Sequence, residues 1–159
     1  MYRSLQSARK QCGSTMVETA LMLSVLLAMM FGIVGFGHAL YTYHFVSNAA
    51  REATRWASVR GYTCPKDLPI LSGGCPASAS DVQTYVSNVS GMGLDPAKIT
   101  ATTTWVAPPN NLAICSTPGH QNYPGCVVQV QVKYSYQFVF PLLPSGFTIQ
   151  STSRMVISQ

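Results

Sequence analysis

A long stretch without charged side chains is the feature that most constrains how this chain can fold. Residues 19–45 contain no Lys, Arg, Asp or Glu, and between residues 20 and 37 the polar side chains are limited to Ser24. About 20 apolar residues in an α-helix, each rising about 1.5 Å, span the hydrocarbon core of a bilayer. The stretch therefore predicts a transmembrane helix, which we place at residues 14–45.

Two other interpretations of this stretch remain open at the level of sequence. One is a buried core helix, which the length of the stretch disfavours. The other is a secretory signal, whose apolar region is usually about 7–15 residues long and ends in small residues. Gly37, His38 and Ala39 could form such a cleavage site. A mature N-terminus at Leu40 would indicate a secreted protein, whereas one at Ser14 would indicate a retained helix.

A short basic segment precedes the apolar stretch. Arg3, Arg9 and Lys10 lie within residues 1–13 and supply much of the formal net charge of +5. Without this segment the chain carries seven basic and five acidic residues, a net charge of +2. Most of the net positive charge thus belongs to a predicted leader at residues 1–13. We see no basic patch with interleaved aromatic residues, so we expect no nucleic-acid partner.

The cysteines agree with removal of this leader. There are five, and Cys12 lies in the leader, so a cut after residue 13 leaves four. Four cysteines permit three pairings. We favour Cys64–Cys75 and Cys115–Cys126, because each pair closes a local loop rich in Pro and Gly. Ten residues separate the members of each pair, whereas zinc ligands are spaced more closely, so we expect no metal.

Flanking charges do not decide the orientation of the helix, because three basic residues precede it and Arg51, Arg55 and Arg60 follow it. Disulfides persist outside the cytosol. We therefore place the N-terminus in the cytoplasm and the C-terminal domain across the membrane.

The helix is predicted to continue beyond the membrane over residues 46–61. Apolar residues recur there at the spacing of one helical face, and Gly61 is a plausible stop. The apolar face comprises Val46, Ala49, Ala50, Ala53, Trp56 and Ala57, and the other side carries Asn48, Arg51, Glu52, Arg55 and Ser58. We expect one helix of about 47 residues, from Ser14 to Arg60, close to 70 Å long at 1.5 Å per residue.

The remaining residues, 62–159, predict a small α+β domain. Ser80 and Gln83 fit a capping box that opens a short helix, which ends near Gly91 or Gly93. Strands are predicted at residues 99–106, 127–138 and 147–158, and the second alternates strictly between apolar and polar side chains. His120 lies in the long loop 107–125 and is expected to be solvated. Three such strands form an antiparallel sheet whose apolar face the amphipathic half of the long helix covers.

Two segments of the long helix carry a family resemblance. Residues 31–37 read FGIVGFG, and residues 47–61 read SNAAREATRWASVRG. This pattern resembles the TadE-like pilus proteins, minor pseudopilins of the tight-adherence, or Flp-type, type IVb pilus system. The resemblance covers residues 13–61 well. It is looser in the C-terminal part, at residues 93–96 and 140–143.

The resemblance implies a minor pilin whose processing site comprises Gly13, Ser14 and Glu18. A prepilin peptidase would cut after Gly13 at the inner membrane, and Glu18 would pair with the N-terminus of a neighbouring subunit. Implied partners are other pilus subunits and the pilus assembly platform, with roles in pilus biogenesis, adherence and biofilm formation. The long helix packed on a small sheet is also the architecture that the resemblance implies. The alternative is a membrane-anchored ectodomain that binds a ligand or scaffolds a secretion apparatus.

No constellation of residues predicts catalysis. The five acidic residues are scattered along the sequence, and the three histidines have no evident nucleophile beside them. Gly73 and Gly74 lack the Lys and the helix that follow a phosphate-binding loop. We therefore expect neither an enzyme nor a cofactor.

Overall fold

The computed structural model describes residues 3–64, 74–90, 94–107, 115, 119–138 and 146–158, with side chains from residue 13 onward. Helix α1, Arg3–Ser58, runs unbroken for 56 residues, which is about 84 Å at 1.5 Å per residue. It begins eleven residues before the expected start at Ser14. Residues 3–13 contain no proline, and the single Gly13 costs a helix only about 1 kcal/mol, so nothing in this segment interrupts the helix. At its other end α1 stops at Ser58, two residues before the expected Arg60.

A three-stranded antiparallel sheet follows, and it confirms the predicted α+β class. The strands are β1, Ile99–Val106, β2, Val127–Tyr136, and β3, Phe147–Val156, in the order β1-β2-β3. Tyr136 pairs with Phe147 where β2 turns into β3, and Val127 pairs with Val156 at the other end. Strands β2 and β3 each end two residues before the expected boundary. A side chain at Gly146 would collide with the carbonyl oxygen of Tyr136, so the turn back into β3 requires glycine there.

The alternation predicted for β2 decides which face of the sheet meets the helix. Its inward side chains are buried, namely Val128, Val130, Val132, Tyr134 and Tyr136, while the intervening polar residues are more exposed. The second half of α1 covers this face across β2 and β3, as the sequence predicted. Ser58 differs from the prediction, because it is buried and not on the polar side of α1. Its carbonyl accepts the backbone N–H of Ser158, and its hydroxyl lies 3.2 Å from the sulfur of Met155.

Helix α2, Ala79–Val89, begins two residues earlier than the expected capping box allows. Its N-cap is Ser78 and not Ser80, and Asp81 rather than Gln83 completes the box, since its carboxylate accepts from the Ser78 backbone N–H at 3.0 Å. The predicted ends at Gly91 or Gly93 lie outside the described residues, and α2 stops at Val89.

Gln83 has a different role from the one that the sequence predicted. Its side-chain Nε2 donates to the carbonyl of Ile99 at 3.2 Å, and its Oε1 accepts the backbone N–H of Ala101. The side-chain amide thus occupies the place of a neighbouring strand at the free edge of β1. An edge covered in this way offers no template for pairing with another chain over those residues.

Two disulfides bridge the ends of loops in the domain. The structure joins Cys64 to Cys75, with their Cα atoms 6.0 Å apart, and Cys115 to Cys126, with theirs 5.6 Å apart. These are the two pairs that the sequence favoured. Cys115 and Cys126 belong to the hydrophobic core beside β2, whereas Cys75 is only half-buried.

Candidate functional site

The first half of α1 contributes no side chain to the hydrophobic core of the described residues. Every residue from 13 to 34 is exposed, and the large side chains among them are Leu, Met, Val, Ile and Phe. Within the described part of the chain, α1 is the one helix long and apolar enough to cross a membrane, and none of its most apolar window is buried. The interpretation as a core helix is therefore wrong, because a core helix must be covered by its own protein.

The residues predicted to form the processing site lie at the start of this exposed half. Gly13, Ser14 and Glu18 are all exposed in continuous helix, and the space around Gly13 is open. Ser14 and Glu18 are four residues apart and so lie on the same face of the helix. Glu18 is the single charged residue between Lys10 and Arg51. The structure does not bring these residues near the sheet, since 16 residues of helix lie between Glu18 and Gly35, whose carbonyl accepts from Tyr136 on the sheet.

A polar network fastens the end of the sheet to the middle of α1. The hydroxyl of Tyr136 donates to the carbonyl of Gly35 at 3.2 Å, and it also lies 3.2 Å from Nδ1 of His38. Because the tyrosine proton is engaged by Gly35, the Nδ1–H tautomer of His38 is the one that donates to the tyrosine oxygen. Thr42, one turn further along, is fully buried and donates to the carbonyl of His38 at 2.8 Å.

The surroundings of Tyr136 also affect its acidity. Burial raises the pKa of its hydroxyl, and the neighbouring Tyr134 raises the pKa further. The hydroxyl therefore stays protonated and able to donate to Gly35. His38 is half-buried against the Tyr136 ring, with 5.4 Å between the ring centroids. His44 is exposed.

Beyond this network, small residues line the face of α1 that meets the sheet. Val46, Ala50 and Ala53 are fully buried, and Ala49 and Ala57 nearly so. Alanine lets the backbone of the helix approach the sheet closely, and Thr54 keeps its hydroxyl satisfied there by donating to the carbonyl of Ala50 at 2.6 Å. Arg51, Glu52 and Arg55 are exposed on the opposite side, as predicted.

Aromatic rings cluster where β2 turns into β3, close to the network at Gly35. Tyr136, Phe138 and Phe147 contact one another with ring centroids 5.1–5.6 Å apart. Phe138 is half-buried and Phe147 is exposed. This end of the sheet therefore presents apolar surface beside the exposed half of α1.

A second aromatic group lies at the opposite end of the domain, where α1 terminates. The guanidinium of Arg60 sits 4.1 Å from the Trp56 ring, which stacks on Tyr85, and burial lowers the pKa of Arg60. His120 packs against Tyr123 and is half-buried, so the expectation that it is solvated is wrong. Among the described residues, no group of three or more His, Cys, Asp or Glu side chains is placed to hold a metal ion.

Sequence reasoning missed the contacts of Tyr136 and Gln83, as well as those of Ser58. Tyr136 belongs to the predicted apolar face of β2, but nothing in the sequence indicates that its hydroxyl reaches a backbone carbonyl 101 residues away. Gln83 was assigned to a helix cap although it covers the edge of β1. These contacts depend on how separate elements pack together.

The comparison with protein families finds a match that lies within helix α1. The family model described as TadE-like protein matches residues 13–55, about a quarter of the chain. These residues comprise the exposed half of α1 and most of the face that meets the sheet. No curated protein and no solved structure is significantly similar to this chain.

Proposed function

The family match supports a TadE-like protein of the Tad/Flp pilus system, and on that premise we propose that this chain is a minor pilin of the Flp pilus. In this role it is held in the inner membrane by α1, processed by a prepilin peptidase, and then incorporated among other pilus subunits by the assembly platform. Adherence and biofilm formation would be the outcomes that it supports.

The observation that carries this proposal is the division of α1 into an exposed apolar half and a half that packs on the sheet. Residues 13–34 are all exposed, and their large side chains are apolar. They require lipid before assembly, and in a filament they require the helices of neighbouring subunits. The family match extends across both halves, which supports one continuous element that serves both states.

The contacts of Tyr136 weigh against an ordinary secretory signal. A cut after Ala39 would remove Gly35 and His38, which hold the hydroxyl of Tyr136. It would remove these hydrogen bonds, and a typical hydrogen bond contributes about 0.5–1.5 kcal/mol. A mature chain that retains the whole helix keeps these hydrogen bonds. We therefore place the cut after Gly13 and the mature N-terminus at Ser14.

Processing at this position gives Glu18 a role. A carboxylate at the centre of a bilayer costs about 2.5–3.5 kcal/mol on insertion scales and less near the interface, and such a group usually has a partner. Cleavage creates the α-amino group of Ser14. In a filament the same amino group of a neighbouring subunit would be available to Glu18, and their pairing would set the axial register.

The orientation that we propose places the N-terminus in the cytoplasm and the sheet domain in the periplasm. The two disulfides support this orientation, because disulfides persist outside the cytosol.

The test compares two exposed acidic residues of the same helix. Glu18→Ala and Glu52→Ala each remove one carboxylate from α1, but Glu52 lies on the polar side beyond the membrane segment. We expect Glu18→Ala to be inserted and cleaved normally, to remain in the membrane fraction, and to be missing from sheared pili. Glu52→Ala should enter pili at the wild-type level. Wild-type amounts of Glu18→Ala in sheared pili would refute the register role.

Two further measurements separate the proposal from its alternatives. Replacing Gly13 with Phe should leave an unprocessed chain, and a variant that still migrates at mature size would show that the cut lies elsewhere. If the wild-type chain is absent from purified pili but present in the inner membrane, the alternative of an anchored ectodomain that binds a ligand or scaffolds the apparatus replaces the pilin.

A further inference from the structure

The length of the exposed half of α1 fixes where the helix leaves the lipid. Residues 14–34 are exposed and carry no charge except Glu18. At about 1.5 Å per residue they span roughly 32 Å, close to the hydrocarbon thickness of about 30 Å. Gly35 is the first residue of α1 that is half-buried by the domain. The boundary of the hydrocarbon therefore falls near Gly35, ten residues earlier than the end of the segment that the sequence alone predicts.

The β2–β3 end of the sheet lies at the same level. The Tyr136 hydroxyl is 3.2 Å from the carbonyl of Gly35, and its ring is 5.1 Å from that of Phe147. Phe147 thus contacts Tyr136, which in turn contacts Gly35 at the hydrocarbon boundary. It is 44% exposed, although it belongs to the inward face of a strand.

The surface of α1 that follows Gly35, at the level of this end of the sheet, is also apolar. Phe36, Leu40, Tyr41 and Tyr43 follow the boundary within about two turns and are each 45–66% exposed. Tyrosine is enriched in the interfacial layer of membranes because one end of its ring is apolar and the other polar. Phe147 extends this layer from the helix onto the sheet.

Charges do not oppose a lipid contact at this end. On α1 no Asp, Glu, Lys or Arg occurs between Glu18 and Arg51. On the sheet side, Lys98 lies beside this end, where its Nζ donates to Gln137 at 2.9 Å. A lysine beside the headgroup layer can keep its ammonium group hydrated while its stem lies along apolar surface.

We propose that the β2–β3 end of the sheet, with Phe147 as its exposed member, rests in the interfacial layer of the bilayer. The occupant of this surface is lipid, because the surface is continuous with the helix segment that lipid covers. The domain would then stand with β3 directed away from the membrane, since its last residues lie beside Ser58, 23 residues along α1 from Gly35. The inference rests on anchoring by α1 and does not require that the chain enters a pilus.

The experiment places tryptophan at the two ends of β3. Phe147→Trp and Val156→Trp are made in the full chain with Trp56 and Trp105 replaced by Phe, and the proteins are reconstituted in phosphatidylcholine vesicles. Val156 is 55% exposed and lies about 30 Å from Phe147 along the strand, at about 3.4 Å per residue. Both positions are thus accessible, and they differ in their distance from the proposed surface.

The readout is quenching by lipids that carry a nitroxide near the top of the acyl chain. Because interfacial residues sit about 5–10 Å into the boundary between headgroups and acyl chains, we expect roughly two-fold or more stronger quenching at Phe147→Trp than at Val156→Trp. Equal quenching at the two positions, whether strong or weak, would overturn the proposal. If either variant fails to form both disulfides, Thr148→Trp and Arg154→Trp provide the same comparison at exposed positions of β3.

The same vesicles distinguish failure of this inference from failure of the functional proposal. They contain no other pilus protein, so the quenching is independent of any role in a filament. Protein that does not float with the vesicles would overturn anchoring and this inference together. Protein that floats without preferential quenching at Phe147→Trp would overturn this inference alone.

Discussion

The two halves of α1 are both apolar, yet they use different residues to meet different surroundings. Residues 13–34 carry large side chains such as Leu, Met, Ile and Phe, all exposed. Over residues 46–58 the buried face is mostly alanine. Lipid chains adapt to any apolar shape, and the transfer of apolar side-chain area from water into lipid is favourable. A sheet is rigid and can approach the helix closely only where the side chains between them are small. Hydropathy therefore suits the first half to a membrane, and side-chain size suits the second half to a protein surface.

The largest expected effect comes from placing the same charge in each half. Ala53 is fully buried against the domain core, so Ala53→Glu would bury an unpaired carboxylate at a cost of several kcal/mol. Small domains are stable by about 5–15 kcal/mol in total. We expect cooperative thermal unfolding of the domain in detergent micelles, followed by near-UV circular dichroism, to be lost or strongly shifted downward.

The matched control is Ala28→Glu in the exposed half. This variant should insert less well into membranes, by about 2.5–3.5 kcal/mol on insertion scales, but should leave the midpoint of domain unfolding in micelles unchanged. If both variants lowered that midpoint equally, the two halves would not be independent.

The next largest loss of stability is expected from removing a disulfide, and this loss should be confined to the domain. Each bond joins cysteines 11 positions apart, and closing a loop of about 15 residues is worth roughly 3 kcal/mol in the chain-entropy model. Cys115 and Cys126 both belong to the hydrophobic core cluster, whereas Cys64 is buried outside that cluster and Cys75 is half-buried. Replacing Cys115 and Cys126 together by Ala should therefore destabilise the domain more than replacing Cys64 and Cys75. Chemical unfolding in micelles measures this, and equal losses would mean that core volume contributes nothing.

A smaller effect is expected from the side chain that covers β1. Gln83→Leu removes the two hydrogen bonds that its side chain makes to β1 and leaves the backbone of Ile99 and Ala101 without these partners, at a cost of about 1–3 kcal/mol. Gln131→Leu removes an exposed side-chain contact to Thr152 on the sheet, and surface changes of this kind usually stay within about 0.5 kcal/mol. The free energies of unfolding of the two variants provide the comparison. A Gln83→Leu variant as stable as Gln131→Leu would show that the edge needs no cover.

The smallest effect is expected at the junction of the two halves. Tyr136→Phe removes the donor to Gly35, and a typical hydrogen bond contributes about 0.5–1.5 kcal/mol. The exposed Tyr43→Phe should change stability by less than about 0.5 kcal/mol. Thermal unfolding in micelles distinguishes the two, and equal midpoints would mean that the hydroxyl of Tyr136 does not fasten the sheet to the helix.

The burial of Tyr136 at this junction also predicts that the stability of the fold depends on pH. Because burial raises the pKa of Tyr136 in the fold, folding favours its neutral form, and its contribution is complete below the ordinary tyrosine value of about 10. That contribution is lost as the pH rises through the higher pKa of the folded state. We expect the alkaline decline in stability to be smaller in Tyr136→Phe than in the wild-type protein, and identical declines would exclude Tyr136 as a source.

The sequence predicted the elements well and their contacts only in part. Strand β1 was predicted with its observed bounds, and the period of two in β2 identified every inward side chain from Val128 to Tyr136. The cap of α2 was misplaced by two residues, because Ser78 and Ser80 are both acceptable N-caps and the carboxylate of Asp81 decides between them. The burial of Ser58 was missed because it depends on the end of β3, 97 to 100 residues further along the chain.

By itself, the sequence determined that one helix is apolar enough for a membrane, that its continuation is amphipathic, and that three strands form a sheet with one apolar face. These properties follow from the local order of side chains, since helical and strand periods place residues on faces without reference to the rest of the chain. Only the tertiary structure decided that the sheet meets α1 from Gly35 onward and that Gln83 covers the edge of β1. Such contacts join residues distant in sequence, and their geometry exists only once the helix and the sheet have packed together.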